Sequence, residues 1–156
     1  MSGPNEAQIA ALKLLAKAEN GRSKIHAFGY MFDSKPEYER YLELRNLSLA
    51  GELRNLRVHP SYELVPELVD SQGAPITALW YTADFEYEEP CEPAGWARVT
   101  EEVKGPPRYE WHRTSRGKIG KHKAFDGYRG PDYIMRVNLF RRRYPMRLFR
   151  EVRMGK

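Results

Sequence analysis

The chain has 156 residues, 41% of them apolar and 30% charged, with a formal net charge of +5, which is one domain's worth of sequence with a basic balance. Apolar stretches are broken within a few residues, so none spans a bilayer, and Met1-Ser2-Gly3-Pro4 lacks the basic start and long apolar run of a secretory signal. The single cysteine, Cys91, excludes an internal disulfide framework and a multi-cysteine zinc site, so the expectation is a soluble cytoplasmic protein without a membrane partner.

Residues 5–18 are helical by composition, with Ile9, Leu12 and Leu15 at helical spacing and Asn20-Gly21 as a stop. Residues 1–26 read as an N-terminal helical extension, and 27–156 as the main domain. Residues 27–33 are a short aromatic stretch, a strand or an extended lead-in. A better-marked helix follows: Ser34 is an N-cap, Pro36 lies in the first turn, and Ser34-Lys35-Pro36-Glu37 has the capping-box pattern. It runs to Ala50 and stops at Gly51. Glu37, Tyr41, Leu44 and Ser48 share one face, so Glu37 heads a stripe that can face the core.

The period then changes. Residues 57–69, broken by Pro60 and Pro66, read as a bulged or edge strand. Residues 71–75 are a turn. Residues 77–88 are a strong strand, with Tyr81, Ala83, Phe85 and Tyr87 on one side and Trp80, Thr82, Asp84 and Glu86 on the other. Residues 89–95 form a loop and 96–104 a further strand. Residues 105–130 hold five glycines, many cations and no hydrophobic period, and read as a long loop or mobile arm. Gly130-Pro131-Asp132 opens a helix to about Arg143, with Tyr133, Val137, Phe140 and Tyr144 at helical spacing. Residues 146–152 form a last strand. The expectation is an α/β domain around a small mixed sheet flanked by helices.

Asp84 and Glu102 are each nine residues from Pro93, so a symmetric hairpin sets them opposite one another, with Cβ atoms about 4.5–5.5 Å apart. Two like charges at that distance destabilise the pair unless a cation lies between them. Lys104 shares the face of Glu102, two residues on. Glu101 is the rival carboxylate, but it shares a face with Val99 and Val103, away from Lys104. Paired carboxylates suit Mg²⁺, which takes oxygen ligands and substrate phosphate oxygens, and a nearby lysine can orient water or offset charge on a phosphorane. The bland alternative is two surface carboxylates beside a lysine salt bridge.

Asp84, with Glu102-Val103-Lys104 across a hairpin, resembles the signature of the PD-(D/E)XK, or restriction-endonuclease-like, nucleases. The order helix, three strands, helix, strand also resembles their core. Further stretches resemble small phage-encoded nucleases of the Holliday junction resolvase and endonuclease kind: Phe32 to Glu37 with Arg40-Tyr41, Pro60 to Leu64, Tyr81 to Phe85, Glu101 to Gly105, and Leu139-Phe140 through Tyr144-Pro145. The resemblance covers roughly residues 28–152. It implies that Asp84 and Glu102 hold metal, that Lys104 is the catalytic lysine, and that Glu37 completes the metal site, a role that can coexist with capping its helix. It also implies Mg²⁺, with Mn²⁺ as a substitute, and hydrolysis of phosphodiesters in branched or structured DNA in phage recombination or replication, by a homodimer. Three departures stand out. Arg136 and Asn138 lie where the family tends to have lysines, Ala83 stands for the signature's proline, and the 105–130 insertion is long.

Residues 1–105 carry 11 Lys and Arg against 17 Asp and Glu, a net of −6, whereas residues 106–156 carry 15 against 4, a net of +11. The basic part reads as a surface for a polyanion: Arg108, Arg113, Arg116, Lys118, Lys121 and Lys123 on the loop, and Arg136, Arg141, Arg142 and Arg143 on the next helix. Tyr109, Trp111, His112 and Tyr128 interleave with the loop cations and could stack on bases. The four histidines show no metal-ligand spacing, with His112 and His122 as phosphate contacts at most, and Cys91 lies among acidic residues, a poor place for a thiolate. A non-catalytic nucleic-acid-binding module of the same fold is the alternative function.

Overall fold

The computed structural model describes residues 24–93, 95–105, 108–113, 119–125 and 130–154. The helix expected over 5–18 lies outside these. Two short strands, β1 (Ile25–Ala27) and β2 (Tyr30–Phe32), pair as a hairpin whose turn is Phe28-Gly29, both at positive φ. Helix α1 (Lys35–Leu49) begins where its cap requires: Ser34 is extended, and its Oγ accepts from the Glu37 amide at 3.3 Å.

β3 (Arg54–Val58), β8 (Phe85–Cys91), β9 (Gly95–Lys104) and β12 (Leu148–Arg153) form the largest sheet among the described residues, in the order β12-β9-β8-β3. β9 runs antiparallel to β8 and parallel to β12, so the sheet is mixed. The strand expected over 57–69 is three separate strands: the end of β3, β4 (Ser61–Val65) and β5 (Leu68–Val69). β5 pairs with β6 (Pro75–Ile76) around the expected turn, and β4 pairs with β7 (Leu79–Thr82). Helix α2 (Pro131–Arg143) leads into β12. The architecture is mixed α/β with several small sheets. No described helix is long and apolar enough to cross a membrane.

Two cores flank the main sheet. On one face Tyr38, Tyr41 and Leu44 of α1 pack with Phe32, Phe85, Tyr87 and Val99. The second core joins Tyr62 and Leu64 of β4, Tyr81 of β7 and Ala83 to Phe140 of α2. Alternate residues of β8 and β9 serve the two sides: Glu101 reaches Arg40 of α1, while Thr100 lies against the Tyr62 hydroxyl.

The structure corrects two further expectations. Residues 77–88 are not one strand. They break at Ala83-Asp84, so Tyr81 and Ala83 enter the α2 core and Phe85 and Tyr87 the α1 core. The cause is a shared bend, at which the His59 amide donates to the Asp84 carbonyl (2.9 Å) and the Ala83 amide to the Pro60 carbonyl (3.1 Å). His59 is at φ +52°, and Pro60 has no amide to continue the ladder. Secondly, the 105–130 stretch is not all loop, because β10 (Arg108–Arg113) and β11 (Ile119–Phe125) pair antiparallel. Tyr109, Trp111, Ile119 and Phe125 are strand-forming residue types, and backbone pairing can form such a ribbon without a hydrophobic period to signal it.

Candidate functional site

β8 and β9 pair Phe85 with Glu101 and Cys91 with Gly95. Continuing that register one step sets Asp84 against Glu102, as hairpin symmetry predicts. Asp84 sits at the bend, beyond the last ladder pair, so its side chain is free to turn across. Its Oδ2 accepts from the Val103 amide at 2.6 Å. Burial pushes the Asp84 carboxyl up to about 8, with the charges of Glu102 and Glu37 adding to the effect; the Val103 amide and Lys104 oppose it.

Glu102 is 7% exposed. Tyr81 donates its hydroxyl to Oε1 at 2.6 Å, and Lys104 Nζ donates to Oε2 at 3.1 Å. Burial, then the charge of Glu102, pushes the Tyr81 hydroxyl far above its ordinary value, so Tyr81 remains a donor. Lys104 Nζ also lies 4.0 Å from the centre of the Tyr133 ring, a cation–π contact that restricts where the ammonium can go. Tyr133 in turn donates to Glu151 at 2.9 Å.

Glu37 is 4% exposed and serves more than its helix cap. Instead of closing the box on Ser34, its Oε2 accepts from the Asp33 amide at 2.8 Å. Its Oε1 lies 2.6 Å from His59 Nε2. The helix N-terminus favours a carboxylate here, and the carboxylate is close enough to Asp84 to raise its carboxyl.

Glu101, the rival of Glu102, is fully buried on the opposite face of β9. Arg40 grips it with two bonds of 2.6 and 2.9 Å, and Tyr87 donates at 2.6 Å. This is a structural ion pair between α1 and the sheet, with its charge already matched.

Glu37, Asp84, Glu102 and Lys104 therefore come together from α1, the bend and β9. Among the described residues no three His, Cys, Asp or Glu side chains stand close enough to hold a metal ion, and each of the three carboxylates accepts a hydrogen bond from or lies against a protein partner. The donor chemistry nevertheless suits a hard dication: the three acidic groups offer only carboxylate oxygens, and Asp84 is raised chiefly by burial and then by the charge of Glu102. His59, Tyr81 and Tyr133 are the partners that sequence reasoning passed over. Tyr81 opens the Tyr81–Phe85 stretch and His59 directly precedes Pro60–Leu64, whereas nothing in the residue types alone pairs Tyr133 with Lys104.

Of the expected DNA contacts, Arg136, Arg141, Arg142 and Arg143 are exposed along α2. Arg108, Arg113, Lys121 and Lys123 are on the β10–β11 ribbon, which leaves β9 just past Lys104. Arg116, Lys118 and Tyr128 lie outside the described residues.

The family model described as "Protein of unknown function (DUF1064)" matches residues 17–106, more than half of the chain, and the chain belongs to that family. The match includes all four clustered residues and ends two residues past Lys104. No curated protein and no solved structure matches the chain.

Proposed function

We propose that this member of the DUF1064 family is a metal-dependent endodeoxyribonuclease that hydrolyses phosphodiester bonds of branched or otherwise structured DNA. The observation that carries the reading is the meeting of Glu37, Asp84, Glu102 and Lys104, separated by up to 67 positions in sequence, at one end of the main sheet. On this reading α1, β7–β8, β9, α2 and β12 form a restriction-endonuclease-like core, and the resemblance supplies the preference for junction-like DNA and a homodimer.

Asp84 and Glu102 would hold Mg²⁺, or Mn²⁺ in its place, with Glu37 completing the set. Such a cation polarises a phosphoryl oxygen and lowers the pKa of bound water. The chain's own residues do the rest. Tyr81 fixes one oxygen of Glu102 so that the other faces Lys104. Lys104, held between Glu102 and the Tyr133 ring, places a positive charge where phosphate oxygens gain charge in the transition state. His59 holds one oxygen of Glu37, restricting its rotation. The arginines of α2 and the cations of the β10–β11 ribbon supply phosphate affinity without base readout.

The test is incubation of a four-way junction, a flap and a linear duplex with Mg²⁺, Mn²⁺ or EDTA. The expected result is metal-dependent scission of at least one branched substrate. Binding without cutting under every metal would point to a non-catalytic binding module instead.

A further inference from the structure

At the far end of β9 from the carboxylates lies a separate cavity of about 670 Å³. Its walls come from the start of β9, the end of α2, the turn into β12 and Arg54 of β3. Trp96 and Glu102 are six residues apart on one strand, which puts the cavity roughly 20 Å from the candidate active site.

Two features set it apart. The first is exposed apolar surface: Trp96 is 37% exposed, Leu148 49% and Met146 91%. Such surface offers apolar contact to a ligand lying over it. The second is an excess of guanidinium groups. Arg54 and Arg98 share a single carboxylate, Glu88, at 2.8 and 3.1 Å. Arg147 shares Glu86 with Arg57. Arg143 adds an exposed charge at the rim. Arg54 also lies 4.2 Å from the Trp96 ring centre, which fixes the indole in the wall.

We propose that this cavity binds an unpaired nucleic-acid strand, with phosphates on Arg54, Arg98 and Arg143 and bases against Trp96 and Met146. Phosphates meet the surplus guanidinium charge, and bases offer flat apolar faces to the exposed surface of Trp96 and Met146. A duplex would satisfy only the arginines, because its bases are stacked on one another. A second copy in a two-fold contact would set arginine against arginine. The identification of this strand as part of the substrate rests on the nuclease reading above; the binding itself does not. The substrate class is then DNA with a single-stranded segment roughly 20 Å from the cut.

Cys91 lines the cavity and is the chain's single cysteine, so its alkylation reports on occupancy. The experiment measures the alkylation rate of the full chain in EDTA with oligothymidine of about 15 nucleotides, with binding followed in parallel by fluorescence anisotropy. Saturating oligothymidine should slow alkylation about tenfold or more, and a Lys104→Ala chain should show the same protection. Trp96→Ala should weaken oligothymidine binding at least about fivefold and lose the protection. An unchanged alkylation rate, or no oligothymidine binding, would overturn the proposal while leaving the metal-dependent cleavage test untouched. Equal protection by a blunt duplex or by polyglutamate would overturn the assignment to an unpaired strand. Protection that grows with protein concentration alone would assign the cavity to a second copy, and would also overturn it.

Discussion

Asp84 owes its properties to its place on the chain. One residue further along β8 it would be a ladder residue with its side chain held to one face. At the bend it turns to the Val103 amide and shares its surroundings with two other carboxylates. Its carboxyl is raised from an ordinary 3.8 to about 8, so the folded state binds the proton more tightly than the unfolded chain does. The stability this contributes is full below about pH 4 and is lost as pH rises towards about 8. In EDTA, the urea midpoint of the wild type should therefore fall between about pH 5 and pH 8 more steeply than that of Asp84→Asn, and Mg²⁺ should restore it at the upper end. Parallel pH profiles for the two proteins would contradict this account of Asp84. Tyr81 makes a second case. Tyr81→Phe removes the donor to Glu102 Oε1, and loss of such an outer partner costs about 10- to 100-fold in metal affinity or activity. The Mg²⁺ concentration for half-maximal cleavage should rise accordingly. The pairing of Asp84 with Glu102 was legible because hairpin symmetry about Pro93 and strand alternation are both simple counts. His59 was not, since its contact with Glu37 depends on a positive φ that no local pattern in the sequence announces.

At the scale of elements, α1 carries a candidate site residue and its own anchors together. Glu37 reaches the site, while Tyr38, Tyr41 and Leu44 lock the helix to the sheet. Tyr38 is fully buried, and its hydroxyl has no hydrogen-bond partner among the described residues, which costs about 1–3 kcal/mol for the buried group. Tyr38→Phe should thus leave the fold intact and raise its stability by about 1 kcal/mol, read as a higher urea midpoint; a lower midpoint would show a partner for that hydroxyl. Helix α2 contributes charge. Replacing Arg141, Arg142 and Arg143 with Ala should reduce the salt dependence of DNA binding by up to about 0.9 in slope per arginine that meets a phosphate. An unchanged slope would remove the last turn of α2 from the interface. Helix boundaries were readable from caps and stops at Ser34, Gly51, Pro131 and Pro145. The strands were harder. The break at Ala83-Asp84 arises from long-range hydrogen bonds to His59 and Pro60, and the β10–β11 ribbon pairs in a glycine-containing, charged stretch with no hydrophobic period to signal it.

For the whole molecule, the modest net charge conceals a division of charge along the chain. The acidic part, residues 1–105, holds Glu37, Asp84, Glu102 and Lys104, and the family match ends almost at the same place. The basic part follows at once, first as a ribbon leaving β9, then as α2, whose Tyr133 returns to touch Lys104. The parallel pairing of β12 with β9 closes the arrangement and brings the last turn of α2 back along the main sheet. Charge counting alone shows this division, but not the second cavity, because Trp96, Tyr144 and Met146 meet only when α2 and β12 fold over the start of β9. The central claim is that the four clustered residues form a hydrolytic site and not merely a buried charge cluster. It is tested most directly by cleavage of a four-way junction in Mg²⁺ by wild type, Glu102→Gln and Lys104→Ala, with junction binding measured in EDTA for all three. The account predicts that both variants lose cleavage by about 100-fold or more and bind the junction much as wild type does. Variants that cut as fast as wild type would contradict it.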